Sequence, residues 1–144
     1  RTSALDSHTD GWRRAEIPAA NGHGNARAVA KIHSALANGG RVGDVQLLSP
    51  EICQAVMQTR IEGPDLVFGA PMAFGLGFGL HPLKANRRNL CFWGGWGGSR
   101  AIIDQDNQLS FSYVMNKMAD GLLGDARGDQ LGGATFKSVA AIGR

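Results

Sequence analysis

Apolar and polar positions along this chain fall into two regimes. In NARAVAKIHSALANGG, Val29, Ile32, His33 and Leu36 recur at the i, i+3, i+4, i+7 spacing, while Arg27, Lys31 and Ser34 face away. That spacing predicts a helix over 25–38. Asn38-Gly39-Gly40, residues that tolerate left-handed geometry, closes it. His33 lies at the edge of the apolar stripe and reads as a packing histidine rather than a ligand. A second helix is predicted from Leu47-Leu48-Ser49-Pro50-Glu51. Ser49 can accept from freed backbone N–H groups, Pro50 suits the first helical position, and Glu51 favours the positive end. Ile52, Cys53, Val56 and Met57 form its apolar side, and it should stop near Thr59, ahead of Gly63-Pro64.

From there the period drops to two. MAFGLGFGL, residues 72–80, alternates glycine with larger apolar residues and predicts a strand with one bare face. His81-Pro82 ends it, and Lys84 to Asn89 supplies a polar turn. Leu90–Trp93 and Ser99–Ile103 are either two halves of one strand around the glycines or two strands joined by them. Asp104-Gln105-Asp106-Asn107 is a turn, and Gln108–Asn116 a strand with Leu109, Phe111, Tyr113 and Met115 on one face. Short connections make this an antiparallel meander. Asp125 to Ile142 reads as a closing helix, weakened by Gly128, Gly132 and Gly133. Residues 1–23 show no sustained periodicity and read as an irregular lead-in. A loop so long serves a site or hangs from something absent.

The expected organisation is a single domain. It runs as an irregular lead-in over 1–23, a helical part over 24–60, antiparallel strands over 66–118 and a closing helix over 119–144. That is an α+β pattern, an antiparallel sheet covered by helices.

Composition narrows the function classes. The chain has 144 residues, 43% of them apolar and 19% charged, with a net charge of +3, the balance of a folded soluble protein. Seven basic and seven acidic residues occupy 1–72, eight and five the remainder. Arg87-Arg88 is the sole basic pair of the second half, so no Lys/Arg stripe suggests nucleic acid. No apolar run approaches the roughly 20 residues of a membrane span. Cys53 and Cys91 form no CxxC and the four histidines are scattered, so neither a disulfide framework, a metal site nor a cofactor is expected. Both cysteines read as buried thiols, which leans toward a reducing compartment such as the cytoplasm.

The chemistry concentrates in WGGWGGS, where Trp93 and Trp96 flank Gly94, Gly95, Gly97 and Gly98. The glycines at 95, 97 and 98 do not spell G-x-G-x-x-G, no Gly-Lys-Ser/Thr follows, and the next element is a strand, which argues against nucleotide binding. Two readings stay open. The glycines clear one wall of an active site, leaving backbone N–H groups for an extended ligand or an oxyanion; or they form a bulge that lets a helix pack closely.

WGGWGGSRAIIDQDNQLSFSYVMNKM resembles the third signature strand of the serine β-lactamase and penicillin-binding-protein superfamily, closest to the class C β-lactamase-related esterases. There a Lys-Thr-Gly, His-x-Gly or Trp-Gly-Gly triplet sits beside the nucleophile. Here it is Trp93-Gly94-Gly95, followed by Gly97-Gly98-Ser99, Asp104, and Tyr113 to Asn116-Lys117. Glu16 to Gly40 resembles that family's helix after its active-site tyrosine region, and Gly124 to Gly128 the start of its C-terminal helix. The resemblance implies a mixed sheet flanked by helices, with an acyl-serine intermediate on a small-molecule ester or amide. It assigns the Trp96 backbone N–H to the oxyanion hole and Trp93, Gly94, Gly95 and Gly97 to the substrate wall. It also implies a Ser-x-x-Lys and a second-motif Tyr. No serine here has Lys three residues later, and the lone Tyr113 sits in the later strand.

The expectation is therefore a C-terminal portion of such an enzyme, whose partner is the N-terminal portion of the same protein. Trp93 stands where penicillin-recognising relatives carry a cation, which disfavours β-lactamase or D,D-peptidase activity; Arg100, facing an unknown side, is the one residue placed to compensate. The competing expectations are a non-catalytic β-lactamase-like binding domain, and an unrelated α+β fold meeting these motifs by chance. Asn21-Gly22-His23-Gly24 reads as a helix-entry turn with Asn capping, and Asn116-Lys117 as a turn.

Overall fold

The computed structural model describes residues 3–80 and 89–143. The expected turn at Lys84–Asn89 lies, apart from Asn89, outside the described residues, as do His81-Pro82 and Arg87-Arg88. The helices are α1 (Asp10–Arg14), α2 (Ala26–Ala37), α3 (Pro50–Val56) and α4 (Ala126–Ala141), preceded by a 3-10 turn at Ala4–His8. The strands are β1 (Arg41–Val42), β2 (Val45–Gln46), β3 (Ile61–Pro64), β4 (Pro71–Phe74), β5 (Gly79–Leu80), β6 (Leu90–Gly94), β7 (Arg100–Asp104) and β8 (Leu109–Tyr113). β1 and β2 form a small hairpin. The other six make one sheet in sequence order, every neighbouring pair antiparallel.

Local chemistry sets the helix starts. The Asn25 side chain accepts from Ala28 N–H, Ser49 from Ile52 N–H, and Asp125 from Arg127 and Gly128 N–H. Asn25 rather than Asn21 caps α2. The Asn21 amide instead donates to the Trp12 and Ala15 carbonyls. Gly39 and Gly40, at φ 63° and 95°, end α2, and Gly40 N–H returns to Ala35 O.

Strand alternation gives the sheet two faces. Register puts Ala73, Leu80, Cys91, Trp93, Ala101 and Ile103 on one, and Phe92, Gly94, Arg100, Ile102, Phe111 and Tyr113 on the other. The first face carries the core, where Leu36 and Ala37 of α2 and Cys53 and Val56 of α3 meet Ala73, Leu80, Cys91 and Ile103. Gln105 in the β7–β8 turn donates to Leu36 O and Cys53 O at 3.1 and 2.9 Å, tying both helices to the sheet. α4 covers the second face. Gly128 and Gly132 lie where a Cβ would come within 3.2 Å of Arg100 and Tyr113, and 3.0 Å of Ile102. Two of the three glycines that weaken α4, Gly128 and Gly132, let it sit down on the sheet, while a Cβ at Gly133 would meet nothing within 4 Å.

Several expectations need correcting. The first 23 residues are not wholly irregular, since Ser3 and Thr9 cap two short helical turns. MAFGLGFGL is not one strand: β4 and β5 are separate, joined by a turn in which Gly75 N–H donates to Phe78 O and Gly77 takes φ 77°. The strands begin at Ile61 rather than 66, with β3 as an edge strand containing Gly63 and Pro64. The part expected to be helical holds the β1–β2 hairpin, and α3 ends at Val56 with Ile52 half exposed. Leu90–Gly94 and Arg100–Asp104 are two strands, which settles the alternative left open.

Cys53 and Cys91 are both buried and unpaired. Burial pushes the Cys91 thiol up to about 12 from an ordinary 9.0. The folded state then holds its proton more tightly than the unfolded one. The resulting stability is fully present below pH 9 and drains away as pH rises toward 12. Iodoacetamide at mildly alkaline pH should leave both thiols unmodified in the native protein and alkylate both in denaturant, read by mass spectrometry. Rapid native labelling of Cys91 would contradict its burial.

Candidate active site

The β6–β7 connection is a tight turn. Gly95 N–H donates to Ser99 O at 3.0 Å and Gly98 N–H to Gly95 O at 3.2 Å, with Gly97 at φ 94°. Positive φ at the third position makes Gly95–Gly98 a type II β-turn with Trp96 second and Gly97 third. Because the Gly95 amide faces β7, strand alternation turns the Gly94 and Trp96 amides toward the opposite edge. β5 ends there, since its residue Gly79 pairs with Phe92 and no strand residue lies opposite Gly94. The Trp96 N–H has no acceptor among the described residues.

That open edge borders a cleft of about 710 Å³. Trp93 and Trp96, 38% and 53% exposed, stand on its wall. Trp93 is held by a tilted contact to Phe74, with centroids 6.0 Å apart. His33 and Phe78 line a further side, meeting edge to face at 5.7 Å. His33 Nδ1 lies 2.8 Å from Val29 O. A carbonyl only accepts, so Nδ1 carries the proton and the ring serves as the packing residue expected from its helix position. Ala19, Ala20 and Gly22 of the lead-in also line the cleft.

The expected site residues divide. Trp93, Gly94, Gly95 and Trp96 all border the cleft. Gly97 is tied elsewhere: its N–H donates to Gly121 O and its carbonyl accepts from Ala119 N–H, both at 2.8 Å. Nor is clearing a substrate path what the described structure requires of Gly94. A Cβ there would overlap the Leu123 carbonyl, and one at Gly98 the Asp125 carboxylate. Close packing of the 117–125 segment, which is not helical, accounts for both, where one of the two readings expects a helix packed against a bulge. Arg100 is also committed. It donates to Leu123 O at 2.6 Å, pairs with Asp129 at 3.3 Å, and lies over the Phe92 ring at 4.8 Å. All three partners lie on the α4 side, and Arg100 also borders the cleft beside Leu123 and Tyr113. Sequence reasoning missed the 117–125 segment, whose Leu122 and Leu123 join the cleft wall. Only the proximity of Asp125 to the helix start hinted at it. Among the described residues no three His, Cys, Asp or Glu side chains gather to hold a metal, and no helix is long and apolar enough to cross a membrane.

The beta-lactamase family model matches residues 1–134. The chain belongs to that family. A curated relative, an esterase/beta-lactamase named LipL from Mycobacterium tuberculosis, is 34% identical over 110 residues, covering 76% of this chain and 25% of that protein. Among solved structures, a family VIII carboxylesterase superposes with TM-score 0.87 at 33% identity, over 94% of this chain and 37% of its own. A penicillin-binding protein homologue from Caulobacter crescentus gives TM-score 0.84 at 37% identity, over 90% and 36%. The fold is thus that of the β-lactamase and penicillin-binding-protein superfamily. This chain spans between a quarter and about two fifths of the length of these relatives.

Proposed function

We propose that this chain is part of a serine carboxylesterase in which the Trp96 N–H is one of two oxyanion donors and Trp93, Gly94 and Gly95 form one wall of the substrate cleft. The observation that carries this is the Trp96 amide, which finds no acceptor among the described residues and belongs to a turn bordering a cleft walled by two indoles. A carbonyl placed there would receive a hydrogen bond as its oxygen gains charge, while attack comes from a serine outside these 144 residues. The general base, a Lys with a Tyr by family resemblance, would come from the same N-terminal portion. Acyl transfer to the serine oxygen breaks the ester bond and expels the alcohol, which takes the serine's proton by way of the base. Water then attacks the acyl-serine, releases the acid and restores the serine.

Substrate charge separates esters from β-lactams. Arg100 is the one Arg or Lys bordering the cleft among the described residues, and it is already paired with Asp129 at 3.3 Å and bonded to Leu123 O. A carboxylate beside Trp93 would lose water without gaining a partner, a cost of several kcal/mol. A neutral ester avoids it. Full-length protein should turn over p-nitrophenyl esters with kcat/KM roughly 100-fold or more above that for a cephalosporin, a gap of about 3 kcal/mol. Preference for the cephalosporin would overturn the ester reading. The second reading is a non-catalytic binding domain of the same fold. Full-length protein that turns over neither substrate would support it.

A further inference from the structure

We infer that Asp125 and Arg127 form a latch that positions the Trp96 turn, so that Arg127 is a positioning residue for ester hydrolysis without touching the substrate. The inference rests on the hydrolase reading and extends it to residues outside the cleft. Arg127 Nε lies 3.2 and 3.0 Å from the two Asp125 carboxylate oxygens, and Nη2 also contacts Oδ2. Nη2 additionally donates to Lys117 O at 2.9 Å and reaches Gly97 O at 3.4 Å. One planar guanidinium thus joins the start of α4, the beginning of the 117–125 segment and the turn that carries Trp96. A single-point ammonium does not reproduce such a fork.

The rest of the connection is main chain. Gly97 bonds in both directions to the segment, through Gly121 O and Ala119 N–H. Gly97 follows Trp96 directly, so whatever holds the Gly97 peptide planes limits how the Trp96 amide swings. The Asp125 carboxylate occupies the space where a Gly98 side chain would be and accepts from the Arg127 and Gly128 amides. It therefore fixes the guanidinium from behind while capping α4. Its hydrogen bond from Arg127 holds the Asp125 carboxyl below the usual range, so the pair is ionised at neutral pH.

A donor displaced by a fraction of an ångström loses transition-state stabilisation and leaves ground-state binding alone. In the full-length protein, Arg127→Ala should lower kcat for a p-nitrophenyl ester by about 10- to 100-fold with KM nearly unchanged. Arg127→Lys should recover part of that loss, and guanidinium ion at sub-denaturing concentration should partly rescue Arg127→Ala. Asp125→Asn, which keeps a helix-capping side chain, should show the same kcat-selective defect. A folded Arg127→Ala protein with unchanged kcat would refute the latch, as would a rise in KM that accounts for the whole loss. If Arg127→Ala does not fold, Asp125→Asn with normal kcat refutes it alone. Failure of the underlying reading is separate: it would appear as no effect from removing the Trp96 amide, whatever Arg127 does.

Discussion

Replacing Trp96 by proline is expected to cut kcat of the full-length protein for a p-nitrophenyl ester by roughly 100- to 1,000-fold, about 3 to 4 kcal/mol of transition-state stabilisation. The substitution isolates one hydrogen atom. Trp96 is the second residue of a type II turn, closed by Gly98 N–H to Gly95 O with Gly97 at φ 94°, and proline is favoured at that place. The ring removes an N–H that has no acceptor among the described residues, so no hydrogen bond of the fold is lost with it. Gly95 precedes it just past the end of β6, and its N–H still donates to Ser99 O. Trp96→Ala is the companion variant, because it deletes the same indole and keeps the amide. Its kcat should fall far less than that of the proline variant. Equal losses would mean that the indole carries the effect, and wild-type kcat in Trp96→Pro would remove the amide from the mechanism.

What the sequence made legible depended on the range of the interaction. Ser49 caps α3 through a bond to an amide three residues away, so that start could be read locally, whereas the α2 cap is Asn25 and not the Asn21 turn, and α4 begins at Ala126 rather than at 119. The β7–β8 turn was legible for the same reason, with Asp104 accepting from the Asn107 amide at 3.1 Å. MAFGLGFGL failed because alternation of glycine with apolar residues is common to a flat strand and a tight hairpin. The contact that separates them, Gly75 N–H to Phe78 O, leaves no mark on the period. β3 escaped because Gly63 and Pro64 signal a turn unless an edge strand is already in view. Within the site, the place of Trp93 and Trp96 on the cleft wall is in keeping with the family resemblance. The Asp125–Arg127 connection was not legible, because Arg127 meets Gly97 across 30 residues of chain.

Gly94→Ala tests the corrected role of the bare strand. The residue lies on the α4 face of β6, and an added methyl would overlap Leu123 C and O and Gly124 N, all backbone atoms that cannot rotate away. Relief requires Leu122–Gly124 to lift, which stretches the 2.6 Å bond from Arg100 to Leu123 O and withdraws Leu122 from the cleft wall. Overpacking against main chain combined with a weakened charge-assisted hydrogen bond should cost about 3 kcal/mol in denaturant unfolding of the full-length protein. Ester turnover should fall with it. Gly11→Ala is the matched control, since a Cβ at Gly11 meets nothing within 4 Å, and it should leave unfolding and turnover near wild type. Glycine kept only to clear a substrate path would behave otherwise: turnover would drop while the unfolding midpoint stayed in place. That outcome would return Gly94 to the substrate wall alone and detach the 117–125 segment from the argument for the turn.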